Sequence, residues 1–394
     1  MPSPSVRGAG LQESPIRKLD LTVLAQRDVR FHKLNIGQPD IPTPLPMRLA
    51  IHNYDSRVIA YGPASGIPAC REAAADWFRP SSPGFEPRHV AVTTGGSEAL
   101  LFAFTAICDP GDDILVPEPY YTNYNGFATV AGATVRPIRT HLENGFALPS
   151  DEVLDSAVGP RTRAIVFSNP GNPTGAVYGT EDLARLLAWA KRRNLFVVSD
   201  EVYRRIWFDQ PPTSALAFAD AREHVIVVDS LSKTWSACGL RIGFVASRNE
   251  AVMDAIERLG QARLGPQPLA QHVAIAALQL PESYYEEVRT TYRDRVDAMV
   301  GALATVRGIR SYRPTGAFYT MVGLPVDDAD AFARWLVTTF RHEGESVVVA
   351  PGGGFYADPA SGRKEIRLAA VCGPDTVRRA VSLLGRALDT YVNR

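Results

Sequence analysis

From Leu45 to about Gly265, short apolar runs alternate with longer amphipathic stretches. His89–Thr94, Asp113–Pro117, Ala164–Ser168, Phe196–Asp200 and Val225–Asp229 are rich in β-branched residues and bounded by turn residues, which predicts strands. Between them, Ser97–Ile107, Tyr121–Ala131 and Thr180–Arg193 carry a helical period, the last with Thr180 placed to cap its N-terminus. Strands that read as continuous apolar runs with helices between them are covered on both faces, so the pattern predicts a mainly parallel α/β sheet flanked by helices. Ligands of such sheets sit at the carboxyl ends of the strands. Beyond about residue 265, Pro268–Gln279 and Glu286–Ala304 read as helices and the remainder to Arg394 as a mixed α/β tail. The expected organisation is a disordered arm over 1–14, a segment over 15–40 packing with a smaller domain, a large domain over 41–265, and a linking helix with a small α/β domain over 266–394.

Composition narrows the class of partner. Lys plus Arg and Asp plus Glu balance at 42 each in 394 residues, so no charge excess points to nucleic acid or to an anionic membrane. A small molecule is the expected ligand. The only lysines are Lys18, Lys33, Lys191, Lys233 and Lys364, so any lysine-dependent chemistry has five candidates. Cys70, Cys108, Cys238 and Cys372 are widely spaced, with no C-x-x-C pair, and neither a metal knuckle nor a disulfide framework is expected. The first eighteen residues lack an apolar leader core and no run is long enough to cross a membrane, which places the expected compartment in the cytoplasm.

Three motifs follow predicted strands. Ser230-Leu-Ser-Lys233 comes directly after the strand ending at Asp229, and Arg241 follows eight residues after the lysine. An amine with nearby hydroxyls and a guanidinium suits a ligand bearing both an aldehyde and a phosphate, with Lys233 forming a Schiff base and Ser230, Ser232 and Arg241 holding the phosphate. Asp200 ends the run Leu195–Val198, where a buried carboxylate requires a cation such as a protonated pyridine nitrogen. Tyr203 lies three residues on, within reach of the same ring's hydroxyl. Asn169-Pro-Gly-Asn-Pro-Thr-Gly175 forms a fixed turn that presents Asn172 to that hydroxyl. Thr94-Gly-Gly-Ser97, entering a helix, is a ready anion site.

Taken in order, these motifs resemble those of the class I/II aminotransferases, the fold-type I pyridoxal 5'-phosphate (PLP) enzymes of the aspartate aminotransferase superfamily, from about Ile16 to the C-terminus. The resemblance implies seven strands in the main sheet, and it implies that Lys233 carries PLP as a Schiff base and later moves the Cα proton. It implies that Asp200 pairs with the ring nitrogen and Tyr203 and Asn172 with the ring hydroxyl. Gly96 and Ser97 would join Ser230, Ser232 and Arg241 at the phosphate, and Tyr121 in Glu118-Pro-Tyr-Tyr-Thr would stack on the ring. Tyr61, in Tyr-Gly-Pro-Ala-Ser-Gly-Ile, would reach the phosphate of a second copy, making a homodimer with composite sites. Arg367, in Glu365-Ile-Arg-Leu-Ala, would hold the substrate α-carboxylate, with Gly37 in Asn35-Ile-Gly-Gln-Pro-Asp letting backbone approach it.

The implied reaction moves an amino group from an L-amino acid to a 2-oxo acid, with aspartate-type or broad specificity. The same scaffold also hosts β- and γ-elimination or replacement, decarboxylation, and the oxidases and cyclases of specialised metabolism, which form the alternative. A regulatory protein retaining the fold is a third class; the intact lysine and the short stretch before residue 15, not expected to hold a DNA-binding domain, argue against it. Arg17 and Lys18 near the entrance, or Arg263 on a loop expected to reach the neighbouring site, are candidate cations for a distal substrate carboxylate, each weighed against ordinary solvated charge. Gly352-Gly-Gly-Phe-Tyr lacks the spacing of a phosphate loop and reads as a strap near the site, able to close on substrate.

Overall fold

The computed structural model describes residues 2–393 apart from 13, 15 and 18. Strand β1 (Arg30–Lys33) precedes the strands of the main sheet, β2 (Val90–Thr93), β3 (Asp113–Glu118), β4 (Thr134–Arg139), β5 (Thr162–Ser168), β6 (Phe196–Asp200), β7 (Val225–Ser230) and β8 (Gly243–Ser247). These seven lie in the order β2-β8-β7-β6-β5-β3-β4, and β8 alone runs antiparallel to its neighbours. The chain is thus an α/β protein with a mainly parallel seven-stranded sheet flanked by helices.

Alternate residues of the central strands enter two different cores. Ile165, Phe167, Val197, Val225 and Val227 pack on one face, while Ala164, Val166, Val198, Ile226 and Val228 pack on the other. Burial on both faces is why these strands have no polar alternation. The same parity governs chemistry at their ends. Asp200 projects to the face of Val198, where the helices Gly95–Ile107 and Asn123–Ala131 pack, and Glu201 projects to the opposite face.

A second group of strands follows: β9 (Arg310–Ser311), β10 (Tyr319–Gly323), β11 (Glu345–Val348), β12 (Ala350–Pro351) and β13 (Glu365–Ala369). Strands β12-β13-β10-β9 form an antiparallel sheet, and β11 pairs in parallel with β1. The long helices Glu282–Leu303 and Pro374–Val392 and the helix Ala329–Thr338 contribute buried residues to the core of this part.

Several sequence expectations are corrected. Thr180 is the first residue of the helix Thr180–Arg192 rather than its cap; Gly179 holds the cap position, and the Thr180 hydroxyl pairs with that of Thr213 at 2.5 Å. Strand β4 escaped the apolar-run criterion because it is an edge strand, pairing only with β3, mostly exposed and containing Pro137. Strand β8, short and begun by glycine, escaped it too. Within the expected disordered arm, Val6–Ala9 forms a single exposed helical turn. The glycine strap at 352–354 is a packed turn, with Gly352, Gly353 and Phe355 buried and Phe355 O accepting from Tyr120 N at 2.9 Å. No helix among the described residues is long and apolar enough to cross a membrane.

Candidate active site

A cavity of about 300 Å³ opens at the carboxyl ends of β5, β6 and β7. A larger, open groove of about 1090 Å³ between the helices Glu282–Leu303 and Pro374–Val392 contains none of the motif residues. The smaller cavity gathers Gly37, Gly96, Ser97, Tyr121, Asn172, Asp200, Tyr203, Ser230, Ser232, Lys233, Arg241 and Arg367, which is every residue expected at the cofactor or the α-carboxylate except Tyr61. Residues as distant in sequence as 37 and 367 therefore share one space.

Lys233 is half-buried, and its Nζ donates to Gly37 O at 2.7 Å. Of the described lysines it alone lines the cavity; Lys33, Lys191 and Lys364 are exposed. Strain clusters around its loop, where Ser236 (φ 51°) and Arg241 (φ 58°) both adopt the left-handed conformation. That turn brings the Arg241 guanidinium back to Thr94 O, at 3.4 Å, and to Cys238 O, at 3.0 Å. Gly95, at φ 79°, opens the helix beneath it, and any Cβ there would overlap the guanidinium. The N–H groups of Gly96 and Ser97, in the helix's first turn, have no intrahelical acceptor and face the same corner. Ser230 Oγ lies 2.9 Å from Ser232 Oγ and donates to Ile242 O at 3.0 Å. One guanidinium, two hydroxyls and a helix N-terminus make this corner a fit for a phosphate.

Across the cavity, Asp200 is 4% exposed. It accepts from Tyr124 Oη at 3.0 Å and, more weakly, from Val202 N at 3.4 Å, and no cation is within ion-pair distance among the described residues. Burial pushes its carboxyl up to about 7. Arg367 is the mirror case. It is 1% exposed on β13, donating to Asn172 Oδ1 at 3.0 Å and Asn35 O at 2.5 Å, with its Nε unpartnered among the described residues. Its guanidinium is sandwiched over Tyr319 (4.4 Å) and Phe355 (4.9 Å), and burial pulls its pKa below the ordinary value. A buried anion and a buried cation, neither with a counter-ion among the described residues, leave one position for a cationic group and one for an anionic group.

Tyr203 Oη sits 3.0 Å from Tyr319 Oη, and a Cβ at Gly37 would overlap that second hydroxyl. The glycine is thus required by Tyr319 as much as by any ligand. Because the helix after Tyr121 starts only at Asn123, the Tyr121 ring stays in the turn and faces the cavity. Tyr61, 85% exposed between the helices Leu45–His52 and Pro68–Phe78, stands outside this protomer's cavity.

Arg17 lines the mouth of the cavity, exposed. Lys18 lies outside the described residues. Arg263 is corrected: it is the last residue of the helix Glu250–Arg263, not a free loop cation, and donates to Glu98 Oε2 at 2.5 Å and Ala64 O at 3.0 Å. Sequence reasoning missed Tyr124, Tyr319 and Cys238. Only Tyr124 carried a signal, standing one helical turn after Tyr121. No group of three or more His, Cys, Asp or Glu is placed to hold a metal among the described residues.

A mainly parallel, doubly covered sheet with a lysine, a carboxylate and an asparagine at neighbouring strand ends defines a fold-type I transferase. The chain belongs to the aminotransferase class I and II family, whose model matches residues 30–384. It is 32% identical over 377 residues to an aspartate/prephenate aminotransferase of Thermus thermophilus, covering 93% of each chain. Among solved structures, an aspartate aminotransferase from Thermus thermophilus with maleate superposes with a TM-score of 0.89 at 30% identity, covering 98% of this chain and 100% of the other. An alanine aminotransferase from Pyrococcus furiosus gives 0.89 at 28% identity, with the same coverage. The chain is an aminotransferase.

Proposed function

We propose that this aminotransferase holds PLP as a Schiff base on Lys233 and exchanges amino groups between L-amino acids and 2-oxo acids of aspartate-type or broad range. The observation that carries the reading is the pair of buried, uncompensated charges, Asp200 and Arg367, facing one cavity with a half-buried lysine. When bound, the cofactor supplies an electron-accepting ring that makes the substrate Cα proton removable. Asp200 would pair with the ring nitrogen and keep it protonated, and Tyr203 and the Nδ2 of Asn172 would donate to the ring oxygen. Asn172 Oδ1 is already engaged by Arg367, so the amide is oriented with its nitrogen free. Gly96, Ser97, Ser230, Ser232 and Arg241 would hold the phosphate, and Tyr121 would cover one ring face. Arg367 and the backbone at Gly37 bind the substrate α-carboxylate. With the cofactor in place, Lys233 would hold it through its amine and, once that amine is free, would be the base that takes and returns the substrate Cα proton.

Arg17 supports a dicarboxylic substrate, its exposed guanidinium standing at the mouth with no hydrogen-bond or ion-pair partner among the described residues. The names of the relatives, aspartate/prephenate and alanine aminotransferase, span both dicarboxylic and neutral amino acids. The deciding experiment adds L-amino acids singly to the loaded enzyme without oxygen and analyses the products. One equivalent of pyridoxamine phosphate and the matching 2-oxo acid is expected, with aspartate and glutamate among the best donors. Ammonia or carbon dioxide without pyridoxamine phosphate would move the enzyme to the elimination, decarboxylation or oxidase alternatives.

We also propose a large domain over 41–265, a smaller one over 266–394 joined by residues 15–40, and a cytoplasmic homodimer with composite sites. Tyr61 is exposed alongside Leu45, Leu49, Ile51, Val58 and Ile59, an apolar surface suited to a second copy. Tyr61→Ala and Lys233→Ala are each expected to be impaired. Mixed one to one as exchanged dimers, they should recover about a quarter of wild-type activity, since half the dimers then hold one intact site. No recovery in demonstrably mixed dimers would rule out the shared site.

A further inference from the structure

We infer that Tyr124 is a positioning residue whose hydroxyl keeps Asp200 ionised and aimed at the cofactor's ring nitrogen. The inference rests on the reading of Asp200 given above and extends it to a residue outside the cavity lining. Tyr124 is 1% exposed, and its Oη donates to Asp200 Oδ2 at 3.0 Å across 76 residues of sequence. No other side chain donates to Asp200 among the described residues; the remaining bond, from Val202 N to Oδ1, is longer at 3.4 Å.

Its neighbours hold the Tyr124 ring from three sides. Tyr121 meets it edge-on at 5.5 Å and 86°, Phe104 edge-on at 6.4 Å, and Tyr120 stacked at 6.3 Å. A ring so packed presents its hydroxyl in one direction. Burial and the adjacent carboxylate push the phenol's own pKa well above its ordinary value, so it stays protonated and donates. Donation to a carboxylate favours the ionised form, which is the form a protonated ring nitrogen needs. The opposing influences on Asp200 are its burial and the Asp229 carboxylate, with Lys233 acting in the same sense as Tyr124. Tyr124 also supports the edge of Tyr121, so one side chain of the helix Asn123–Ala131 serves both the ring's face and its nitrogen.

The test separates the hydroxyl from the packing. Tyr124→Phe keeps the ring and removes the donor. Cofactor-free wild type, Tyr124→Phe and Asp200→Asn are titrated with PLP and with its 1-deaza analogue, in which carbon replaces the ring nitrogen. The ratio of the two dissociation constants is insensitive to the folded fraction, because only folded protein binds either probe. Wild type is expected to prefer PLP, and Tyr124→Phe to lose about tenfold or more in affinity for PLP but less than about twofold for the analogue. Asp200→Asn should abolish the preference. Equal weakening toward both probes, or no weakening toward PLP, overturns the role of Tyr124. A wild type that does not distinguish the probes, and behaves like Asp200→Asn, overturns the reading of Asp200 itself and the inference with it.

Discussion

Lys233→Ala is expected to lower the amino-transfer rate by about 10⁴-fold or more while leaving cofactor uptake measurable. On the proposed function, the substitution removes both the amine that would form the Schiff base and the base that would move the Cα proton. No other described lysine replaces it, since Lys33, Lys191 and Lys364 are exposed and away from the cavity. The phosphate corner, built from Ser230, Ser232, Arg241 and the start of the helix Gly95–Ile107, is untouched, so binding persists through non-covalent contacts. Lys233→Arg should be equally inactive, because a guanidinium keeps the charge but is neither a nucleophile nor a base at working pH. Borohydride reduction of the loaded wild type followed by peptide mapping is expected to label Lys233. A label on any other lysine would refute the assignment.

Asp200 yields the second large effect, and it has opposite signs for activity and stability. Asp200→Ala is expected to retain some PLP and lose about a thousandfold in kcat, the consequence of removing one partner of a buried ion pair worth roughly 3–5 kcal/mol. In the cofactor-free protein the same carboxylate is a liability. Its folded pKa, about 7, stands above the ordinary 3.8 because burial penalises the charged form. Between those values the unfolded chain gives up this proton and the folded chain keeps it. Stability therefore falls as pH rises through the window, and the loss is complete above pH 7. Asp200→Asn should accordingly stabilise the cofactor-free protein by roughly 1–3 kcal/mol at pH 8 and by much less near pH 5. Urea unfolding midpoints at the two pH values check this. An equal shift at both, or a loss at pH 8, would remove the claim that Asp200 is an uncompensated buried charge. On the proposed function, cofactor binding would supply the missing cation, so a stability cost of this kind is consistent with a site built for its ligand.

The chemistry at strand ends was legible because it is local. Asp200 directly ends an apolar run, Lys233 follows a strand by three residues, and Asn172 lies in a turn whose prolines and glycines mark it. The same holds for β3, β5, β6 and β7, whose burial on both faces leaves an unbroken apolar signature. Where a strand is largely exposed the signature fails, as at the edge strand β4, whereas β8 is buried throughout and escapes because Gly243 and Ser247 leave only a three-residue apolar run. Thr180 was misread because a hydroxyl beside a helix start satisfies the cap pattern one residue out of register.

By itself, then, the sequence determined the α/β class, the central strands and the motifs at their ends, because these depend on contiguous patterns of burial and turn chemistry, while Gly37, Tyr121 and Arg367 entered through the resemblance of their motifs to the family. Only the tertiary structure decided the company those residues keep. Tyr124 meets Asp200 across 76 residues, Tyr203 meets Tyr319 across 116, and Arg367 meets Asn35 across 332. It also turned Arg263 from a free cation into the partner of Glu98 and buried Arg367, which its sequence neighbours do not distinguish from a surface arginine. Such pairings arise from helix packing and sheet order, and no local run of residues encodes which distant side chain a buried polar group will face.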